Sequence, residues 1–210
     1  MQKCFPIALF CLILAALLVG QRFGMPKLFP NEPQSVVRLD SANGVALFVK
    51  HGKKVGVVGN KNQRRGQIIF TGESTYASFF IGESTRLFLD ERTDVELIEL
   101  TRGKETIKLI RGRILLEHER DTPITVTTNF TKSFFTNGLA SFVNFDFQET
   151  VHVIPLEETT VAVSLGKTGG TVTKTPVRIH ETDPQSIADF SPSLHVPPAN
   201  NFYAWTKGTR

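Results

Sequence analysis

From residue 45 to about residue 165, apolar and polar positions alternate in short bursts. The segments GVALFVK, KKVGVVG, QIIFTG, TYASFFIG, TRLFLD, DVELIEL, ETIKLI, GRILLE, PITVTT, LASFVNFDF, TVHVIP and TTVAVSL follow one another. They are rich in Val, Ile, Phe and Thr, and Gly, Asn, Asp or Pro separate them, which is the signature of strands and turns. In the clearest cases the alternation has a period of two. Leu139, Ser141, Val143, Phe145 and Phe147 fall on one side of a strand, Ala140, Phe142, Asn144 and Asp146 on the other. Thr159, Val161, Val163 and Leu165 alternate with Thr160, Ala162 and Ser164 in the same way. Beyond the N-terminus no stretch keeps a 3.6-residue period for three turns, so the pattern predicts an all-β fold. Closely spaced strands suit a jelly-roll-like stack or a β-solenoid of repeated rungs. TPVRIHETDP adds one more expected strand, and DPQSIADF reads as the start of a short helix with Asp183 as cap and Pro184 at its first position.

The N-terminus departs from this pattern. After Met-Gln-Lys comes an apolar run from Cys4 to Val19, followed by Arg22 and Lys27. A secretory leader has an apolar core of roughly 7–15 residues, and a spanning helix needs ~17 or more. Leu18 is bulky where a cleavage site wants a small residue, so an uncleaved anchor through residues 4–20 is expected, with cleavage as the alternative. The chain divides on this reading into a signal anchor (1–25), a Pro-rich linker (26–35), a β domain (36–180) and a Pro-rich tail (181–210). The bulk of the chain is expected outside the cytoplasm. Both cysteines, Cys4 and Cys11, lie in the apolar run, so the β domain has neither a disulfide nor a thiolate metal site.

The tetrapeptide GEST occurs twice, at Gly72 and at Gly82, around the apolar TYASFFI. Glycine, an acid and two hydroxyls invite a catalytic reading, but no histidine is near in sequence. Turns explain the repeat better, because Gly72 and Gly82 tolerate positive φ and Ser74 and Ser84 bond readily to nearby backbone. Between the turns Ala77, Phe79 and Ile81 point one way, and Tyr76, Ser78 and Phe80 the other.

With these turns in place, residues 68–100 resemble the central signature of the FecR domain. The matching positions are Thr71, Gly72, Ser74, Ala77, Phe79, Gly82, Ser84, Leu87, Leu89, Thr93, Val95 and Leu97. Leu109, Gly112, Arg113 and Leu115 resemble the family's hydrophobic-x-x-Gly-Arg-hydrophobic segment, and Val126 and Thr128 its Val-x-Thr strand. NGLASFVN and VHVIPLEETTVAVSL resemble its last strands, with Ala140-Ser141-Phe142-Val143-Asn144 where the family often has Gly-Thr-x-Phe-x-Val. The resemblance covers about residues 53–166. It implies an extracytoplasmic β domain on a single-span anchor that binds other envelope components. The best-known members of the family relay an outer-membrane signal to a cytoplasmic sigma factor.

Composition narrows the chemistry further. The hydrophobic fraction of 40% supports a packed core, and Phe is frequent at 17 residues. Histidines 51, 118, 152, 180 and 195 never pair at metal-ligand spacing. His118 is expected at a solvated turn, and His152 on a strand as a surface or hydrogen-bonded histidine. Glu157 and Glu158 are neighbours that face opposite ways on a strand. No P-loop, dinucleotide fingerprint or calcium loop is present. The expectation is a non-enzyme with no catalytic residue, no metal, no cofactor and no small-molecule substrate. Asn129-Phe130-Thr131 fits the glycosylation pattern, which matters only in a eukaryotic secretory pathway.

Two features remain as candidate contacts. Ser41 to Gly72 contains no acid but holds Lys50, His51, Lys53, Lys54, Lys61, Arg64 and Arg65. Cationic turns of this kind steer anionic partners, here an envelope protein, an acidic polymer or lipid headgroups; nucleic acid is disfavoured by the leader. The second feature is the aromatic end of the tail, Phe202, Tyr203 and Trp205, expected to dock onto the domain itself. The alternative to a binding adaptor is a lipid or lipopolysaccharide carrier of the single-span jelly-roll type, with phenylalanines lining an apolar groove. An apolar pocket open at one end favours the carrier, and a closed, filled core favours the adaptor.

Overall fold

The structure, a computed structural model, describes residues 33–50, 53–57, 62–145, 149–166, 168–181, 188–189 and 199–209. The chain divides into two units, residues 1–33 and 34–210, and the fold below is that of the second. The expected anchor lies outside the described residues. Among those described, no helix is long and apolar enough to cross a membrane.

Fourteen strands form one curled sheet: β1 (Val37–Asn43), β2 (Ala46–Lys50), β3 (Lys53–Gly56), β4 (Ile68–Thr71), β5 (Tyr76–Ile81), β6 (Thr85–Leu89), β7 (Asp94–Glu99), β8 (Thr106–Thr127), β9 (Thr131–Phe145), β10 (Thr150–Leu156), β11 (Thr160–Leu165), β12 (Thr168–Thr173), β13 (Val177–His180) and β14 (Ala188–Asp189). Every pairing between these strands is antiparallel. The parallel rung-on-rung pairing of a β-helix is therefore absent among the described strands.

The spine is the β8–β9 hairpin. Three expected strands, ETIKLI, GRILLE and PITVTT, are one 22-residue strand, β8. Its glycine and proline lie where its pairing changes or is interrupted, yet the strand continues through both. The first part of β8 pairs with β7 as far as Arg111, and the next part pairs with β6 from Ile114 to His118. Gly112, at φ +94°, sits at the handover. A second irregularity at residues 120–123 bulges β8 away from β9. Likewise β9 pairs with β11 near its start and with β10 near its end. Each long strand thus feeds two branches, and the sheet closes around a core of Phe79, Ile81, Leu87, Leu97, Leu109, Ile114, Phe142, Val151 and Val161, all at most 1% exposed.

Both GEST segments are turns, one between β4 and β5, the other between β5 and β6. In the second, Gly82 carries positive φ; in the first, Ser74 does so at 53° and Gly72 does not. The tail differs from expectation. Ala188 and Asp189 pair with β13 as β14 rather than continuing a helix from Asp183, and residues 182–187 lie outside those described. A helix that the pattern does not predict, α1, runs from Ala199 to Thr209. It places Phe202, Tyr203, Trp205, Thr206 and Thr209 towards the protein, and Asn201, Ala204, Lys207 and Gly208 towards solvent.

Candidate functional site

The basic segment was expected to be strand, turn, strand, turn, strand, and it gathers at one end of the sheet. Lys50 ends β2 and lies opposite Lys53, the first residue of β3. Arg64 and Arg65 precede β4, whose Phe48- and Leu47-facing residues place it on the other side of β2. His51 and Lys61 lie outside the described residues, as does the Lys50 side chain. Lys53, Lys54, Arg64 and Arg65 are exposed. They are not equivalent. Arg65 donates to the Ile98 carbonyl at 2.8 Å and pairs with Glu99 at 3.5 Å. Hydrogen bonds from the Thr101 hydroxyl and amide hold the Glu99 carboxyl below its ordinary range, so it stays charged against Arg65. The Lys54 ammonium lies 4.5 Å from the centre of the Phe70 ring, an attraction that leaves its charge in place. Lys53 and Arg64 have no ion pair among the described residues. Among the described residues, Lys53, Lys54 and Arg64 are therefore the cations at this end without an ion pair.

The strand that carries two of them, β3, ends the path β7–β4–β2–β3. All four of its residues are exposed, with Val55 at 41%.

A second site forms on the outer face of the sheet. Phe88 of β6, Leu115 of β8 and Leu139 of β9 are buried beneath Phe202, with Tyr76, Leu156, Tyr203 and Trp205 around them. Trp205 meets Phe88 edge-on with ring centroids 6.1 Å apart and lies 5.6 Å from Tyr76. The Tyr203 hydroxyl donates to Ser141 Oγ at 2.9 Å, and Ser141 in turn donates to the Ile114 carbonyl. Ser141 belongs to the segment that departs from the family's Gly-Thr-x-Phe-x-Val. Arg86 donates to the Thr209 carbonyl at 2.7 Å, pairs with Asp40, and lies over the Phe80 and Phe88 rings. The three tail aromatics thus dock on their own domain.

Sequence reasoning missed the group beneath this helix. Asp90 and Arg113, each with a side chain only 9% exposed, form an ion pair at 2.7 Å. Burial pushes the Asp90 carboxyl above its ordinary value, against the pull of the Arg113 guanidinium and the Glu91 amide. Around the pair, the Thr71 hydroxyl donates to the Asp90 carbonyl and accepts from the Thr93 amide. The Thr93 hydroxyl accepts from the Arg113 amide at 3.1 Å. A Cβ on Gly112 would lie 2.7 Å from Thr93 Cα. Thr71, Thr93, Gly112 and Arg113 are all positions of the FecR resemblance. They meet where β6 passes to β7 and β8 changes partner, so this part of the signature builds a corner. The signals available in the sequence were the Asp90-x-x-Thr93 spacing and the Arg113 match, which no local pattern joins.

His118 is not at a solvated turn. It is 1% exposed, its Nδ1 lies 2.7 Å from Thr85 Oγ1, and its Nε2 lies 2.7 Å from the Thr122 carbonyl. It ties the 120–123 bulge back to β6. His152 is buried in β10. Among the described residues no group of three His, Cys, Asp or Glu is placed to hold a metal. Phe48, Phe70, Phe79, Phe88, Phe135, Phe142 and Phe202 are all buried, and Phe134 stands exposed at 43%.

No family model matches the chain, and no curated protein matches it. Solved structures do. Two crystal structures of a putative anti-sigma factor from Parabacteroides distasonis each align with a TM-score of 0.54. The identities are 15% and 16%, over 67% of this chain and 65% and 64% of the other. The likeness is one of fold. The chain spans just under two thirds of the length of the protein it matches.

Proposed function

We propose that this chain is a non-enzymatic, FecR-like binding domain that works in regulation or sensing outside the cytoplasm, anchored by its apolar N-terminus. The observation that carries the proposal is the cationic end, where Lys53, Lys54 and Arg64 are exposed and, among the described residues, without an ion pair beside the open strand β3. Such a cluster raises the local concentration of anionic partners and orients them. The fold shared with the Parabacteroides distasonis protein is consistent with a regulatory role, and so are the residues of the FecR resemblance that form the corner at Arg113. The partner on this reading is an envelope protein or an acidic polymer.

Photo-crosslinking in native membranes tests it, with the reactive group at position 53 and, separately, at position 64. Adducts to protein or cell-wall polymer at both positions are the expected result. Adducts to lipid alone would move the function to a carrier. No adduct at either position would remove the cationic end from the function.

A further inference from the structure

The hydrogen-bond parity of β3 shows which of its backbone groups are available. The Val57 amide donates to the Ala46 carbonyl at 2.8 Å. In an antiparallel pair, residues that bond across the ladder alternate with residues that do not. With Leu47 opposite Gly56 and Val49 opposite Lys54, Val55 and Lys53 bond to β2. The N–H and C=O groups of Lys54 and Gly56 point the other way. Among the described residues nothing pairs with that outer edge.

We infer that the outer edge of β3 accepts an extended acidic segment of a protein partner as an added antiparallel strand. The inference rests on the binding function proposed above and names how its site works. Main-chain bonds to Lys54 and Gly56 supply the attachment, and the side chains supply the choice. Gly56 projects nothing, and a Cβ there would meet open space, so a partner backbone approaches freely. An antiparallel segment reading apolar-acid-acid places its apolar side chain opposite Val55 and its two acids opposite Lys54 and Lys53. A second copy of this chain is the wrong occupant. Self-pairing would bring Lys53 and Lys54 of both copies close together, and lysines on an open edge commonly block it. Arg64, near the same end, extends the positive field to an acid beyond the paired residues.

The test uses the full 210-residue chain, 15N-labelled and held in detergent micelles, titrated with acetyl-Ser-Thr-Val-Glu-Glu-Thr-amide. The expected result is that the Lys54 and Gly56 amides shift and slow their hydrogen exchange. The Val55 amide, already bonded to β2, keeps its exchange rate. A peptide with both glutamates replaced by lysine leaves the spectrum unchanged. The variant Gly56→Pro removes the outward N–H at a position where β2 receives no bond, so an intact spectrum with at least roughly fivefold weaker peptide binding is expected. Shifts at Lys53, Val55 and Arg64 without protection at Lys54 and Gly56 would overturn strand addition while leaving the cationic end as a binding surface. Absence of any shift would overturn it as well, and the crosslinking result would then judge the binding function by itself.

Discussion

At the scale of single residues, the corner beside Arg113 decides how the chain folds back on itself. Gly112 is there because its φ of +94° disfavours any side chain and because Thr93 already occupies the space a Cβ would need. Gly112→Ala should cost about 2–4 kcal/mol, combining left-handed strain with a clash against backbone. A chemical melt of the variant checks this against the parent. The Asp90–Arg113 pair makes a sharper prediction. Asp90→Ala leaves a guanidinium buried without its acid, and such one-sided removal costs about 3–5 kcal/mol. Replacing both, as Asp90→Leu with Arg113→Met, should recover most of that loss, since an apolar pair has no charge to desolvate. A double-mutant cycle by urea denaturation reads both outcomes. If the double replacement were as unstable as the single one, the pair would hold the corner by geometry rather than charge.

Helix α1 shows what pattern reading misses at the scale of elements. Its sequence ANNFYAWTKGT contains Gly208, two asparagines and two threonines, all poor helix formers. Packing of Phe202 against Phe88, Leu115 and Leu139 outweighs that propensity, and no local window reveals partners so distant in sequence. Most strands, by contrast, were legible, because short runs rich in Val, Ile, Phe and Thr are set off by turn residues, and in β7 and β11 buried and more exposed positions alternate. Two escaped notice. β1, with Val37 buried and Ser41 already half-exposed, alternates too briefly, and β12 (TGGTVT) has two glycines where strand residues are expected. The merging of three expected strands into β8 was hidden because Gly112 and Pro123 look like ends, yet the strand continues through both.

The docking of α1 carries a pH prediction. Burial pushes the Tyr203 phenol above its ordinary value of 10.0, although the Ser141 bond and Arg113 act the other way. A phenol that holds its proton better folded than unfolded contributes fully below pH 10.0 and loses that contribution as pH rises through its folded value. Trp205 fluorescence should therefore change above pH 10.0 before strand circular dichroism is lost. In Tyr203→Phe the early alkaline step should shrink, leaving only the part due to Tyr76, whose phenol is also raised by burial and by Asp90 and Glu91.

Over the whole molecule, the β8–β9 hairpin is the element to which every branch is attached. Amides in its paired interior are flanked by ladders on both sides, while β3, β12 and β14 lie at edges or ends of the sheet. Native-state hydrogen exchange should accordingly be slowest around Ile114–Leu116 and Ala140–Phe142 and fastest in those outer strands. Uniform exchange rates across the sheet would mean that no branch opens separately. The curled closure was not readable from the sequence, since it depends on which half of each long strand meets which neighbour.

The long sequence distance between α1 and its seat has a consequence during synthesis. The bond from Arg86 to the Thr209 carbonyl joins residues 123 positions apart, and Phe202 reaches its seat only after β6, β8 and β9, which form that seat, have been made. Before that docking the nascent protein displays Phe88, Leu115 and Leu139 as an uncovered greasy patch on an otherwise assembled sheet. That patch would be open to aggregation or to chaperone capture until α1 covers it.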